Sequence, residues 1–336
     1  GDRTASRAIS YWFVFLLLFV LSAGSLDRDW ASGEEVHLAL ETTATVLAFV
    51  VGFLALVRFY SKRKKTFLFI GTGFLGTGFL DLFHASTSLV GRDGLSSLEL
   101  QNRSAWSFTA SAGFLSVFLF VSWLAWKWED QRKAGEEIRD SQVFLTAAVL
   151  TVLIFLAFFR LPPTQAIYPG AFLSRPGELF PALFFFLALT GYLTKGGWRT
   201  NGFEHWLVMA LLISAMAHGG LMAFAGLAHD LDYDLAHLLK ILAYGCVLVG
   251  LMASVFTTFR REEEAAQAAR AANAALAREI DTRRRAERIL QDNEEELQDF
   301  LDNAHDLIQS VDPQGRFLYV NQAWKKVLGY NDQDLE

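Results

Sequence analysis

Three pairs of ionisable residues recur at helical spacing inside long apolar stretches. His37 and Glu41 are four apart, Asp81 and His84 three apart, and His237 and Lys240 three apart, so each pair shares one face of its own helix. His218 adds an imidazole from a further apolar stretch. If these faces converge, they enclose imidazoles, carboxylates and an ammonium beneath Trp30, Tyr168 and Tyr233. Such a set has three uses. Imidazoles with carboxylates suit a divalent metal, zinc or copper, with His37, His84, His218 and His237 as candidate ligands; two imidazoles from facing helices suit the iron of haem b. Asp81, His84, His237, Lys240 and Glu41, joined by Trp106, also suit an organic ligand. In the third use Asp81 and Lys240 neutralise each other while His84 and His237 donate hydrogen bonds, clasping two helix ends together. A retinal Schiff base on Lys240 is disfavoured, because eight spans without an opsin pattern do not match that chemistry. Charge inside a bilayer is expensive, so its concentration at one depth points to function.

The elements that must position these residues are membrane spans. The chain of 336 residues is 52% hydrophobic and 14% aromatic, with 30 Phe and 9 Trp, too apolar for an ordinary soluble domain. Apolar runs are expected to form spans at Ile9 to Ala23, Val36 to Tyr60, Thr66 to Val90, Ser104 to Trp126, Ser141 to Arg160, Leu179 to Thr194, Phe203 to Leu227 and Asp234 to Thr258. Crossing the hydrocarbon core takes about 20 residues, so the first and sixth runs must recruit flanking residues. Basic residues set the orientation. Arg3 and Arg7, Lys62 to Lys65, Lys127 with Arg132, Lys133 and Arg139, Lys195 with Arg199, and Arg260 with Arg261 fall on one side; Arg28, Arg92, Arg103 and Arg175 are scattered on the other. The positive-inside rule then places both termini in the cytoplasm and the polar pairs in the outer half of the bilayer. Gly71, Gly73, Gly76 and Gly78 are expected to let helices pack closely. The single cysteine, Cys246, excludes an internal disulfide framework and a thiolate metal cluster. A net charge of -6 without a basic soluble block argues against nucleic acid as a partner.

After Thr258 the chain turns charged and alanine-rich. Leu276, Arg283, Leu290 and Leu297 repeat every seven residues beside Ile280, Glu287, Glu294 and Leu301, a heptad seam with polar interruptions. The expectation is a parallel homodimeric coiled coil over 259–301, about 60 Å long at 1.5 Å per residue. Charge at core positions lets such a seam shift register or twist, which suits a signalling connector.

Two resemblances sharpen this outline. The segment FLDNAHDLIQSVDPQGRFLYVNQAWKKVLGYNDQDLE, 300–336, resembles the start of a PAS domain. It has a strand at Leu307 to Val311, a turn at Asp312 to Gly315, a strand at Phe317 to Val320 and a helix over Asn321 to Gly329. Such a length is about a third of that fold, so the chain is expected to stop inside it. DLFH at 81 to 84 after GTGFLGTGFL, Arg103 with Trp106 opening the fourth span, and HLLKILAY at 237 to 244 resemble the third type of MASE domain. Where that family has a Gly-Met turn after the histidine, this chain has Ser86 to Gly91. These domains are bacterial membrane-associated sensors found upstream of PAS, histidine kinase and diguanylate cyclase modules, and the resemblance implies no catalytic residues.

The expected fold is an all-α polytopic membrane protein with eight transmembrane helices over 1–258, a cytoplasmic coiled-coil linker over 259–299, and a truncated α+β PAS start over 300–336. The expected function is the input module of a bacterial signal-transduction protein in the inner membrane. It would detect a ligand, a metal or a haem-linked signal at the His/Asp/Lys cluster, and relay it through the dimeric helix to PAS and output domains. A histidine kinase of a two-component system is the expected output, and a diguanylate cyclase the alternative. No catalytic signature occurs in the chain, so enzymatic activity is expected only beyond Glu336. A small-solute or ion transporter is the alternative of another class; it would place its site at mid-membrane in repeated, broken helices, and no such repeat is visible.

Overall fold

The computed structural model describes residues 2–23, 32–90, 97–131, 139–160, 164–226 and 230–331. Arg28, Trp30, Arg92, Arg132, Lys133 and His229 lie outside the described residues, as do Gly91 and the last five positions. The chain separates into two compact units, Gly1–Thr258 and Phe259–Glu336.

The first unit is helical. Its elements are α1 (Asp2–Ala23), α2 (Glu34–Lys62), α3 (Lys65–Val90), α4 (Ser97–Gln131), α5 (Asp140–Arg160), α6 (Leu179–Lys195), α7 (Gly202–Met216) and the start of α8 (Leu231–Asn303). Among the described residues, eight helices are long and apolar enough to cross a membrane. The two short apolar runs are lengthened by their flanks. Helix α1 takes in the polar stretch from Asp2, and a 3-10 turn at Pro176–Glu178 precedes α6. Ser86 to Val90 continue α3 as helix. Helix α7 loosens into a π-helical turn, Ala217–Met222, around the pair Gly219 and Gly220.

Helix α3 is the hub. Helices α2, α4 and α5 pack against it, α4 packs on α6, α6 on α7, and α7 on α1. Its glycines make this possible: a Cβ on Gly73 would lie 2.7 Å from Phe118 Cβ of α4, and one on Gly71 2.7 Å from Leu56 Cδ2 of α2. Helix α8 lies against α3, where Phe74 and Tyr244 meet edge to face at 5.1 Å, and against α7, where Gly250 faces Trp206 and Phe203. The outward faces are apolar. Only 11% of the α1 span and 17% of the α5 span are buried, against 72% of α3, and Trp12, Phe13 and Phe19 of α1 with Leu145, Val152 and Phe159 of α5 stand exposed. Surfaces this apolar need a cover, and a bilayer supplies one. At the basic ends of the helices, Lys65 pairs with Asp140, Lys195 Nζ lies 2.7 Å from Glu204, and Arg7 donates to the Trp198 carbonyl.

In the second unit the continuation of α8 is exposed along its length to Phe300. Strands β1 (Gln309–Val311) and β2 (Phe317–Val320) pair antiparallel, and α9 (Gln322–Leu328) follows. Asn321 is the local organiser. Its side chain accepts from the Ile308 and Trp324 amides, both at 3.1 Å, and donates to the Leu301 and Asp306 carbonyls, so it caps α9 and ties the hairpin to the end of α8. Gly329, at φ 78°, closes α9 in the left-handed conformation.

Candidate functional site

The three polar pairs converge. The i, i+4 spacing of His37 and Glu41 puts both on the buried face of α2; Asp81 and His84 lie on α3, and His237 and Lys240 on the first turns of α8. All six side chains are buried. Lys240 is the centre of charge. Its Nζ donates to Asp81 Oδ1 at 2.8 Å and to Glu41 Oε2 and Oε1 at 3.0 and 3.2 Å. Asp81 also accepts from Ser111 Oγ, and from Tyr244 Oη at 3.4 Å, so both its oxygens are engaged. Each buried charge therefore faces an opposite one, which is the condition for tolerating charge away from water.

The imidazoles form a second layer. His37, His84 and His237 each offer one ring nitrogen within 4.8 Å of the others. The His37 ring meets those of His84 and His237 edge to face, at 5.5 and 4.8 Å between centroids. A hydrogen bond fixes one tautomer. His237 Nδ1 lies 2.7 Å from the Tyr233 carbonyl, which can only accept, so Nδ1 carries the proton. Ser107 Oγ lies 2.8 Å from both the Ser104 carbonyl and His84 Nδ1, and so holds the His84 ring against α4. In a neutral His237 ring Nε2 is then the nitrogen with the lone pair. His237 Nε2 makes no hydrogen bond and lies 3.2 Å from Glu41 Oε1. The Tyr233 hydroxyl reaches His37 Nε2 at 3.3 Å, and Phe108 packs against His237 at 4.6 Å.

The other sequence candidates lie elsewhere. His218, in the π-helical turn, sets its Nδ1 2.7 Å from Glu178 Oε2 and is not among the three grouped imidazoles. Glu178 also accepts from Thr109, joining the turn to α4. Trp106 donates from Nε1 to the Thr164 carbonyl at 3.0 Å and lines a separate apolar cavity of about 850 Å³ with Arg103, Phe114, Ile154 and Phe180. Of the expected roof, Tyr233 is buried in the first turn of α8 and Tyr168 is exposed.

Several residues here gave no signal in the sequence. Ser107 and Ser111 are one helical turn apart on α4 and hold His84 and Asp81, but serine is too common in helices to stand out. Arg175 lies in a loop; it donates to the Ala225 carbonyl at 3.1 Å and stands 5.0 Å over the Tyr233 ring, beside the cluster. The arrangement can bind a cation among nitrogen lone pairs, or move protons between imidazole and carboxylate.

No curated protein and no solved structure matches the chain. Residues 34–258 match the third type of MASE domain, a membrane-associated sensor domain, and residues 295–336 match the PAS fold. Both are the families suggested by DLFH, HLLKILAY and the hairpin segment. With more than half of its length in that match, this membrane protein belongs to the family of membrane-associated sensor domains of the third MASE type and carries a PAS fold after the sensor.

Proposed function

We propose that this protein is the sensory input module of a bacterial inner-membrane signalling protein, with its stimulus acting at the cluster of Glu41, Asp81, Lys240 and the three imidazoles. The observation that carries this reading is continuity. His237 and Lys240 belong to the helix that runs without interruption from Leu231 to Asn303 and leads into the PAS hairpin. A change in what holds Lys240 or His237 changes the restraint on that helix, and a small rotation or axial shift can then reach the heptad seam. The seam acts in a homodimer with both termini in the cytoplasm, and the PAS fold relays to an output module. A histidine kinase is the output that best fits this relay, and a diguanylate cyclase the alternative.

The test is made on the full-length protein in membranes, with autophosphorylation or cyclic-dinucleotide synthesis as the readout. His237→Ala and Lys240→Ala should each shift basal output and abolish its response to the native stimulus. Wild-type output and response in both variants would overturn the assignment of the cluster as the input.

A further inference from the structure

The three imidazoles do more than fill space between helices. They come from α2, α3 and α8, and His37, His84 and His237 are buried. Two are oriented from behind, His237 by the Tyr233 carbonyl and His84 by Ser107, each through Nδ1. Metal-bound histidines are held in this way, with the ring nitrogen opposite the metal donating to a fixed acceptor. His237 Nε2, buried and without a hydrogen bond, has a carboxylate oxygen beside it at 3.2 Å, off the axis of the ring nitrogen. A cation on that axis would meet the nitrogen lone pair and the carboxylate together.

We infer that His37, His84 and His237 form a binding site for a late first-row divalent transition-metal ion of the zinc or copper class, with Glu41 at the fourth position. Nitrogen ligands with one carboxylate select that class over magnesium or calcium, which prefer all-oxygen sites. Haem fits less well, because three imidazoles and a carboxylate gather around one point, whereas haem iron takes its protein ligands only at its axial positions. Metal-nitrogen bonds of about 2.0–2.1 Å bring tetrahedral ligands to about 3.4 Å from one another. The nitrogens lie within 4.8 Å, so coordination draws α2, α3 and α8 together at their outer ends. Lys240 balances Asp81 while Glu41 turns to the metal. This assignment rests on the cluster being the input proposed above and names what it detects.

The 336-residue protein, purified in detergent and stripped with a chelator, is titrated with Co²⁺ and then with competing Zn²⁺ and Cu²⁺. One ion per chain should bind, with the visible bands of tetrahedral cobalt bleached by zinc. His84→Ala and His237→Ala should each lose at least about 100-fold in affinity. Ser107→Ala removes only the partner behind His84 and should bind about 10-fold more weakly while still folding. His218→Ala should bind as wild type. Absence of saturable binding by folded wild-type protein would overturn the site, as would binding that survives unchanged in Ser107→Ala and His84→Ala. If metal binding fails while His237→Ala still uncouples output, the metal is wrong and the sensory cluster stands; if metal binds while output ignores both variants, the site stands and the sensory reading falls.

Discussion

Lys240 Nζ stands 2.8 Å from Asp81 Oδ1 with both side chains buried between apolar helices, and the same ammonium reaches Glu41 at 3.0 Å. One cation thus serves two anions. Removing it leaves two uncompensated carboxylates, whereas removing one anion leaves the other pair intact. Lys240→Met should therefore destabilise by about 3–5 kcal/mol, and Asp81→Asn by clearly less. Thermal unfolding in a single detergent measures both. The double variant Asp81→Asn/Lys240→Met should recover part of the loss, and strict additivity would show that the two residues are not energetically coupled.

Packing around α3 makes a second prediction. Gly73 has Phe118 Cβ 2.7 Å from where its own Cβ would be, on a helix packed from three sides, whereas Gly245 of α8 has nothing within 4 Å. Gly73→Leu forces α3 and α4 apart and should cost on the order of 1–3 kcal/mol or more. Gly245→Ala should be neutral or stabilising by up to about 1 kcal/mol, since alanine favours helix. Equal melting temperatures for the two variants would remove glycine packing as the reason that α3 sits at the hub.

The sequence made part of this site readable. Spacings of three and four put His37 with Glu41, Asp81 with His84 and His237 with Lys240, because helical periodicity fixes which residues share a face. Hydropathy gave their common depth. What neither gives is the angle around the bundle. His218 lies on an apolar stretch with the right kind of side chain, yet its position in a π-helical turn aims it at Glu178, a residue of a short loop turn with no periodic signal. Ser107 and Ser111 became visible only once α4 was packed against α3. The hairpin of the second unit was legible from turn chemistry, whereas the hold of Asn321 on the Leu301 carbonyl required the strands to be paired first.

That hairpin turn should be sensitive to acid. The Asp312 carboxylate accepts from the backbone amides of Arg316 and Gln314, both at 2.9 Å, and from Arg316 Nε at 2.7 Å. The Arg316 amide foremost, then the guanidinium and the Gln314 amide, hold its pKa below the ordinary aspartate value. Because the folded value is lowered, the contribution to stability is fully present above about pH 3.9 and is lost as pH falls through the folded pKa. The amide resonances of Gln314 and Arg316 should titrate together, with a midpoint below about pH 3.9. A midpoint at or above that value would mean that the turn does not hold the carboxylate in solution.

The last prediction concerns the exposed run of α8. Leu276, Leu290 and Leu297 are each more than half exposed, at 56, 59 and 58%, and they lie one heptad or two apart on a single face. A single helix of this length gains little from leaving such leucines in water, and a second copy laid parallel would bury them. Arg283 and Glu287 pair at 3.2 Å within the same seam, so the polar interruption is neutralised inside each helix and can sit in a dimer core at reduced cost. In a Cys246→Ser background, single cysteines at 276, 290 and 297 should form intermolecular disulfides readily in membranes. Cysteines replacing Arg278 and Asp292, on the opposite face, should form them slowly. If the 278 and 292 positions crosslink faster, the helices do not meet along the leucine face, and the relay from Lys240 to the PAS fold needs another route.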